Sequence, residues 1–297
     1  MTSNSFSQHI YTEKIHRAID YISEHISEEI NLDQLADVAC FSPFHFHRVF
    51  TACMGETPRD FIERIKLERA ANNLCLLPHK SVADIASDCG FSSASTFTRA
   101  FKKYYQIPPR EFLNKHRHDF HSMNISGYQP KPVLDDSAKE LVRIVKFPAL
   151  HVAYTQTLNG YQVGIPKAWN RLNGVAAIRG WINDETRFIG VPYDNPGITP
   201  REKCRYRACI TVDKNMVITR GDVKTADLEE GNYAVLHFKG TTKDISDAYS
   251  FLYGEWLPQS GYMPDNKPLL ELYPPELHTQ SSIDQLEYDI ALPVTLI

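Results

Sequence analysis

The sequence predicts a multidomain chain: an all-α domain made from a duplicated two-helix unit, then an α+β domain built from two pseudo-repeats. Three observations predict it. A near-repeat relates FSPFHFHRVF at 41–50 to FSSASTFTRAF at 91–101: Phe41 maps to Phe91 at an offset of 50, and Arg48→Arg99, Phe50→Phe101, Pro58→Pro109 and Phe61→Phe112 share an offset of 51. One residue added inside a constant offset marks a duplicated structural unit. Residues 8–118 carry helical apolar spacing almost throughout, whereas short strand-like runs dominate beyond 140. Between them HSMNISGYQPKPVLDDSAKE, rich in Ser, Gly and Pro and without periodicity, reads as a linker. The boundaries that follow are 1–120 for the helical domain, 121–139 for the linker and 140–297 for the second domain.

Each element has a local reason. Ile15, Ile19 and Ile22 occupy one face of a first amphipathic helix. Asn31 with Gln34 forms a cap with its N3 partner and opens a helix through Leu32, Leu35 and Val38. Ser42 caps the next helix, with Pro43 at the tolerated first position. On that helix Phe46, Val49, Phe50 and Cys53 form the buried stripe. Thr57-Pro58-Arg59-Asp60 repeats the start signal for a longer helix through Phe61, Ile65 and Leu74. Ser81 and Asp84 open another, and Ser92 or Ser93 the last of the set, whose core stripe is Phe97, Phe101 and Tyr104.

In the second domain LVRIVKF, HVAYTQTL, RFIGV, RYRACITV, YAVLHFKG, PLLELY and YDIALPV read as strands, with helices near 166–177 and 244–257. His151–Tyr154 parallels Tyr233–Leu236 at an offset of 82, and Gly180-Trp181 parallels Gly261-Tyr262 at 81. Each half is then strand, helix, Gly-aromatic turn, strand, and a pseudo-twofold pair of such units encloses a cleft.

Composition narrows the classes. At 297 residues and 42% hydrophobic content the chain has material for two cores. No run of about eighteen apolar residues occurs, the length a membrane helix needs. The N-terminal stretch lacks the charged-then-apolar order of a secretory signal, so a cytoplasmic protein is expected. The six cysteines (40, 53, 75, 89, 204 and 209) show no CxxC pairing and are expected to be buried thiols. His45 and His47 point to different helix faces, and His116, His118 and His121 read as basic-end or linker residues, so neither metal nor cofactor is expected.

Net charge is −4, and residues 1–120 balance 14 Lys+Arg against 15 Asp+Glu, which argues against nonspecific polyanion binding. The acids crowd the first 37 residues, whereas Lys102, Lys103, Arg110, Lys115 and Arg117 crowd the end. That polarity suits a domain with one DNA-facing side.

Phe44, His47 and Arg48 share a helix face distinct from the buried stripe. If the duplicated unit is a helix-turn-helix, that outer face enters the major groove. Arginine pairs bidentately with guanine, His47 can bond a base edge, and Phe44 can pack on a thymine methyl. A single helix arginine is ordinarily just solvated; the same placement in two copies opposite two core stripes points to DNA. Ser95, Thr98 and Arg99 occupy the matching positions of the second copy, followed by Lys102 and Lys103. Small hydroxyls carry less base information, so the first helix is expected to read sequence and the second to anchor on phosphates.

Through LADVACFSPFHFHRVF, FIERIKLERAANNL and VADIASDCGFSSASTFTRAFKKYYQIPPREF, residues 8–115 resemble the AraC/XylS family DNA-binding domain, particularly its MarA, SoxS and Rob group. The resemblance implies seven helices, with two helix-turn-helices joined by a long helix and entering successive major-groove segments as a monomer. Phe44 and His47 stand where that group often has tryptophan and glutamine, which shifts the preferred bases. Through FLYGEWLPQSGYMPDNKPLLELYP and YDIALPV, residues 140–297 resemble the GyrI-like effector-binding domain. Both domains in this order resemble a Rob-type regulator, which implies a small-molecule pocket between the two pseudo-repeats.

Residue chemistry bears on that pocket. Strand alternation puts Leu269, Glu271 and Tyr273 on one face and Leu270 and Leu272 on the other. Glu271 resembles the acidic residue that many such domains place beneath a ligand, and Tyr161, Trp169, Tyr193 and Trp256 are candidate aromatic walls. A carboxylate ringed by aromatics suits a lipophilic cation. The leading expectation is a bacterial transcription activator that binds asymmetric promoter DNA, recruits RNA polymerase and responds to a hydrophobic, amphipathic or cationic effector. One alternative is a regulator whose second domain grips a protein. Another is the hydrolase activity of some GyrI-like proteins; no Ser-His-Asp or metal-ligand spacing stands out for it, so an enzyme is not expected.

Overall fold

The computed structural model describes residues 3–77, 80–121, 141–158, 160–218, 221–242, 244–265, 267–275 and 286–297. Contacts divide the chain into two compact units, Met1–Lys115 and His116–Ile297. The segment read as a linker lies outside the described residues, except for His121, which ends a helix.

The first unit is built from α1 (Ser3–Glu24), α2 (Leu32–Val38), α3 (Pro43–Met54), α4 (Pro58–Leu76), α5 (Val82–Asp88), α6 (Ala94–Tyr105) and α7 (Pro109–His121). Its helix starts are written in side-chain hydrogen bonds. Asn31 and Gln34 exchange both bonds of a capping box at 2.9 Å, and Ser81 and Asp84 do the same ahead of α5. Ser42 and Thr57 each precede a proline at the first helical turn. Asn31 and Gln34 bond only within the start of α2, so Asn31→Ala tests capping. We expect it to cost about 1 kcal/mol of stability, read as a lower midpoint in chemical denaturation.

The extra residue of the second copy can be located. Phe41 N–H donates to the Ala36 carbonyl at 2.9 Å and Phe91 N–H to Ala86 at 3.0 Å, still at an offset of 50. The N-caps are Ser42 and Ser93, an offset of 51. Ser92, in the turn before α6, is therefore the insertion. Both turns pass through the left-handed region at matching positions, Cys40 (φ 52°) and Gly90 (φ 71°). At Gly90 a Cβ would lie 2.7 Å from Lys66 Nζ and 2.8 Å from the Ser27 carbonyl, so only glycine fits.

The buried stripes differ from expectation at their ends. Phe46, Phe50, Phe97 and Phe101 are fully buried, but Cys53 is exposed and Val49 half-buried. Cys53 lies in the last turn of α3, just before Gly55 turns the chain away, so the stripe has run past its covering neighbours. Tyr104 is 36% exposed, and Tyr105 packs inward instead, its ring 4.6 Å from Phe101 and 4.8 Å from Phe112. The core row of α6 thus runs 97-101-105, in steps of four. The thiol expectation also needs correction: Cys40 and Cys53 are exposed and Cys75 is half-buried, while Cys89, Cys204 and Cys209 are buried.

The second unit is a mixed helix and antiparallel-sheet fold. Its elements are β1 (Val142–Phe147), β2 (Leu150–Thr157), α8 (Gly160–Arg179), β3 (Phe188–Pro192), β4 (Tyr206–Thr211), β5 (Lys224–Leu228), β6 (Gly231–Gly240), α9 (Ile245–Ser250), a π-helical turn at Phe251–Trp256, α10 (Leu257–Gln259), β7 (Tyr262–Pro264), β8 (Leu270–Tyr273) and β9 (Leu286–Leu296). One sheet takes the order β1-β6-β9-β8-β3-β4-β2-β5, with β7 on β9. The seven strand-like runs all become strands. The half-exposed KTADL of β5 and the three residues of β7 lack an apolar run and escape notice. Pro166 lies inside α8, not at its start, because Gly160 (φ 70°) begins the helix earlier.

Alternation assigns the two sheet faces. Ala153, Phe188, Tyr206, Ala208 and Ile210 pack under Ala168, Leu172 and Ala176 of α8. Leu236, Phe238, Tyr288 and Ile290 pack with Leu252 of the π-helical turn. The opposite face holds Val152, Tyr154, Ile189, Val191, Tyr233, Val235, Leu270 and Ala291. Glu271, next to Leu270, is thereby turned toward the helices.

Candidate functional sites

On α3, the buried Phe46 and Phe50 turn Phe44, His47 and Arg48 outward. Phe44 is 73% exposed. The Arg48 guanidinium sits over its ring, 5.7 Å from the centroid. On α6 the matching positions are quieter. The Thr98 hydroxyl donates to the Ala94 carbonyl at 2.7 Å, and Ser95 Oγ lies 3.1 Å from Ser93 Oγ. These hydroxyls are already engaged with their own helix start. Arg99, Lys102 and Lys103 remain exposed beside them. The eight candidate DNA residues therefore fall into two groups, one on each helix, neither buried in the core.

The second unit holds a different chemistry. Glu271, 7% exposed, accepts at Oε2 from the Tyr273 hydroxyl at 2.7 Å and the Tyr206 hydroxyl at 3.0 Å. At Oε1 it accepts from Tyr249 of α9 at 3.4 Å. Trp169 Nε1 donates to Tyr206 Oη at 3.3 Å, and its ring stands 5.4 Å from Tyr273. The Tyr161 ring is 6.1 Å from Tyr206, and its hydroxyl donates to the Asp194 carbonyl. Gly190 faces Glu271 across the β3–β8 pairing. A Cβ there would strike the Tyr206 hydroxyl and stand 2.7 Å from Glu271 Oε2, so the close approach requires glycine.

Burial pushes the Glu271 carboxyl up, while the three phenolic hydrogen bonds pull it down. Burial, and then the Glu271 charge, raise Tyr206, Tyr249 and Tyr273 well above the ordinary phenol value, so they stay protonated donors at neutral pH. Among the described residues no lysine, arginine or histidine forms a salt bridge with Glu271. An ionised carboxylate here has lost water and gained three hydroxyl donors but no counter-charge.

Residues 141–295, over half of the sequence, match the GyrI-like small molecule binding domain family. The chain belongs to the GyrI-like family. Ahead of that GyrI-like region, residues 35–115 match a helix-turn-helix domain family. An uncharacterized HTH-type transcriptional regulator of Bacillus subtilis, YbfP, is 31% identical over 125 residues, covering 40% of this chain and 42% of YbfP. The regulatory protein PocR of Salmonella typhimurium is 31% identical over 110 residues, covering 35% of each chain. The match thus spans 35–42% of the length of these curated relatives. Among solved structures, an AraC-type regulator from Chromobacterium violaceum is 28% identical with a TM-score of 0.33, covering 35% of this chain and 91% of that one. The EcmrR C-terminal domain is 13% identical with a TM-score of 0.42, covering 52% and 98%.

Within the GyrI-like domain the structure gathers Tyr161, Trp169 and Tyr273 around Glu271 but not Tyr193 or Trp256. Tyr193 has the parity of Ile189 and Val191 and so lies on the opposite face, 5.0 Å from the Arg207 guanidinium. Trp256 stacks on Tyr262 at 6.2 Å, packed with Ala234 and Leu292. Sequence reasoning missed Tyr206 and Tyr249. The signal for Tyr206 was present in strand alternation, which places it with Ala208 and Ile210 on the face under α8. The carboxylate is enclosed, not at the floor of an open cleft. A separate groove of about 730 Å³ opens beside Phe147, Leu150, Leu270 and Leu272, rimmed by Asp184, Glu185 and Arg187, and shares Tyr273 with the cluster.

Proposed function

We propose that the chain is a transcription regulator, and specifically an activator, that reads an asymmetric promoter site as a monomer and recruits RNA polymerase. One observation carries the reading: two helix-turn-helices of matched hydrogen-bonded geometry each turn an outer arginine, Arg48 and Arg99, away from a buried phenylalanine pair. A dimeric helix-turn-helix protein uses two subunits to enter two groove segments; here one chain carries both helices. Phe44, His47 and Arg48 read bases, while Ser95, Thr98, Arg99, Lys102 and Lys103 hold phosphates. Such a protein acts where the chromosome is, in the bacterial cytoplasm.

The GyrI-like domain, over 140–297, senses a lipophilic or amphipathic cation through Glu271 with Tyr161, Trp169, Tyr206, Tyr249 and Tyr273. The buried carboxylate without a counter-charge supports this, as does the small-molecule character of the matched family. The domain is a doubled unit. The sheet order β1-β6-β9-β8 followed by β3-β4-β2-β5, in which strands 82 residues apart occupy equivalent places from either end, supports the doubling. The enclosure of Glu271 favours a second reading, in which this domain grips a protein and takes no small ligand.

A genome-wide map of bound sites, taken with and without an added lipophilic cation, separates these readings. The proposal expects discrete promoter-proximal sites and cation-dependent transcription from them. Scattered binding with no shared sequence would contradict DNA reading; discrete sites indifferent to every cation would favour the protein-partner reading.

A further inference from the structure

The connecting helix α4 carries three charged side chains inside the core: Arg64 at 5% exposure, Lys66 at 9% and Glu68 at 2%. Buried charges are rare and need partners. Arg64 Nη2 donates to Glu56 Oε1 at 2.7 Å, and Nη1 to Glu68 Oε2 at 3.1 Å. Glu56 directly follows Gly55, the left-handed cap that ends α3. Glu68 Oε1 accepts from the Tyr104 hydroxyl at 3.1 Å, in the last turn of α6. A continuous run of polar contacts therefore joins the end of one recognition helix to the end of the other, through α4.

Replacing a buried ion network by apolar side chains is often neutral or stabilising, so net stability is a poor reason for its presence. What a forked guanidinium supplies is direction, because two bonds fix the plane of approach. Nor does the duplicated unit itself require it. At the offset of 51, Glu56 and Arg64 map to Ile107 and Lys115, and Tyr104 maps back to the exposed Cys53. The network belongs to the joint between the copies.

We propose that Arg64, Glu68 and Tyr104 are positioning residues that hold α3 and α6 in one register and so set the spacing between the two base blocks the chain reads. This rests on the DNA-reading function above. Lys66 reinforces the joint from the other side: its ammonium donates to the Glu28 carbonyl at 3.0 Å and the Gly90 carbonyl at 2.9 Å, tying the α5–α6 turn to the loop after α1.

The test is selection of binding sites from a pool of random duplex DNA by the full chain, Tyr104→Phe and Arg64→Met. Tyr104→Phe removes one hydroxyl and keeps the ring beside Tyr105, 4.8 Å away. The wild-type chain should enrich two blocks at a single spacing. Both variants should enrich the same blocks at two or more spacings, with Arg64→Met the broader. A single wild-type spacing from Tyr104→Phe and from a folded Arg64→Met would overturn the proposal; should Arg64→Met fail to fold, Tyr104→Phe decides alone. If the wild-type chain enriches nothing, the DNA-reading function fails first and takes this proposal with it.

Discussion

Glu271→Gln should weaken binding of a lipophilic cation such as benzyltributylammonium by about 2–5 kcal/mol, the range for removing one member of a buried charge pair. The amide keeps the shape and an acceptor for Tyr273 and Tyr206, which approach at 2.7 and 3.0 Å, so packing survives and the lost quantity is charge. Isothermal titration reads the change, and DNA affinity of the same variant should be unaltered. A pH dependence follows from the direction of the Glu271 shift. Burial raises the carboxyl, so it takes up a proton at a higher pH than an exposed glutamate. A cation binds the ionised form, so affinity should fall as pH decreases through that raised value. The Glu271→Gln variant should be flat over the same range. Full cation affinity in the variant would remove the carboxylate from the site.

Arg48→Ala carries the second large effect, about 1–3 kcal/mol on a specific site. Arg48 lies over the exposed Phe44 ring, which limits where its guanidinium can point. A guanidinium held that way suits bidentate pairing with one guanine edge, so specificity should relax at a single base position. Arg99→Ala should behave differently. Its neighbours are self-engaged hydroxyls and two lysines, so the loss should be similar across DNA sequences and should lower the salt dependence of binding. Equal loss on specific and unrelated DNA for Arg48→Ala would make it a phosphate contact.

Much of this architecture is local, and local signals are legible in a sequence. Asn31 with Gln34, Ser81 with Asp84, and the Ser-Pro and Thr-Pro starts each announce a helix because the capping chemistry needs only neighbours. Alternation alone turns Glu271 and Tyr273 to the face opposite Leu270. The rest depends on what the chain folds against. Tyr104 and Tyr105 are equivalent by spacing, and only the position of Phe112 on α7 decides which packs inward. Tyr193 and Trp256 are aromatic in the right region, yet strand parity and the Tyr262 stack direct them elsewhere. Tyr249 meets Glu271 only because α9 packs back on the sheet at β6, a contact between residues 22 apart in sequence. The buried Arg64 network was legible only in its Arg64–Glu68 pair, four residues apart on α4; Glu56 joins from the turn after α3 and Tyr104 from α6.

We propose that this chain reads DNA sequence through two helices of unequal character. The most direct test is the equilibrium affinity of the intact chain for its selected site and for a scrambled duplex of equal length, at one physiological salt concentration. The selected site should bind tighter by about a thousandfold or more, with Arg48→Ala closing much of that gap. Equal affinity for the two duplexes would contradict this proposal.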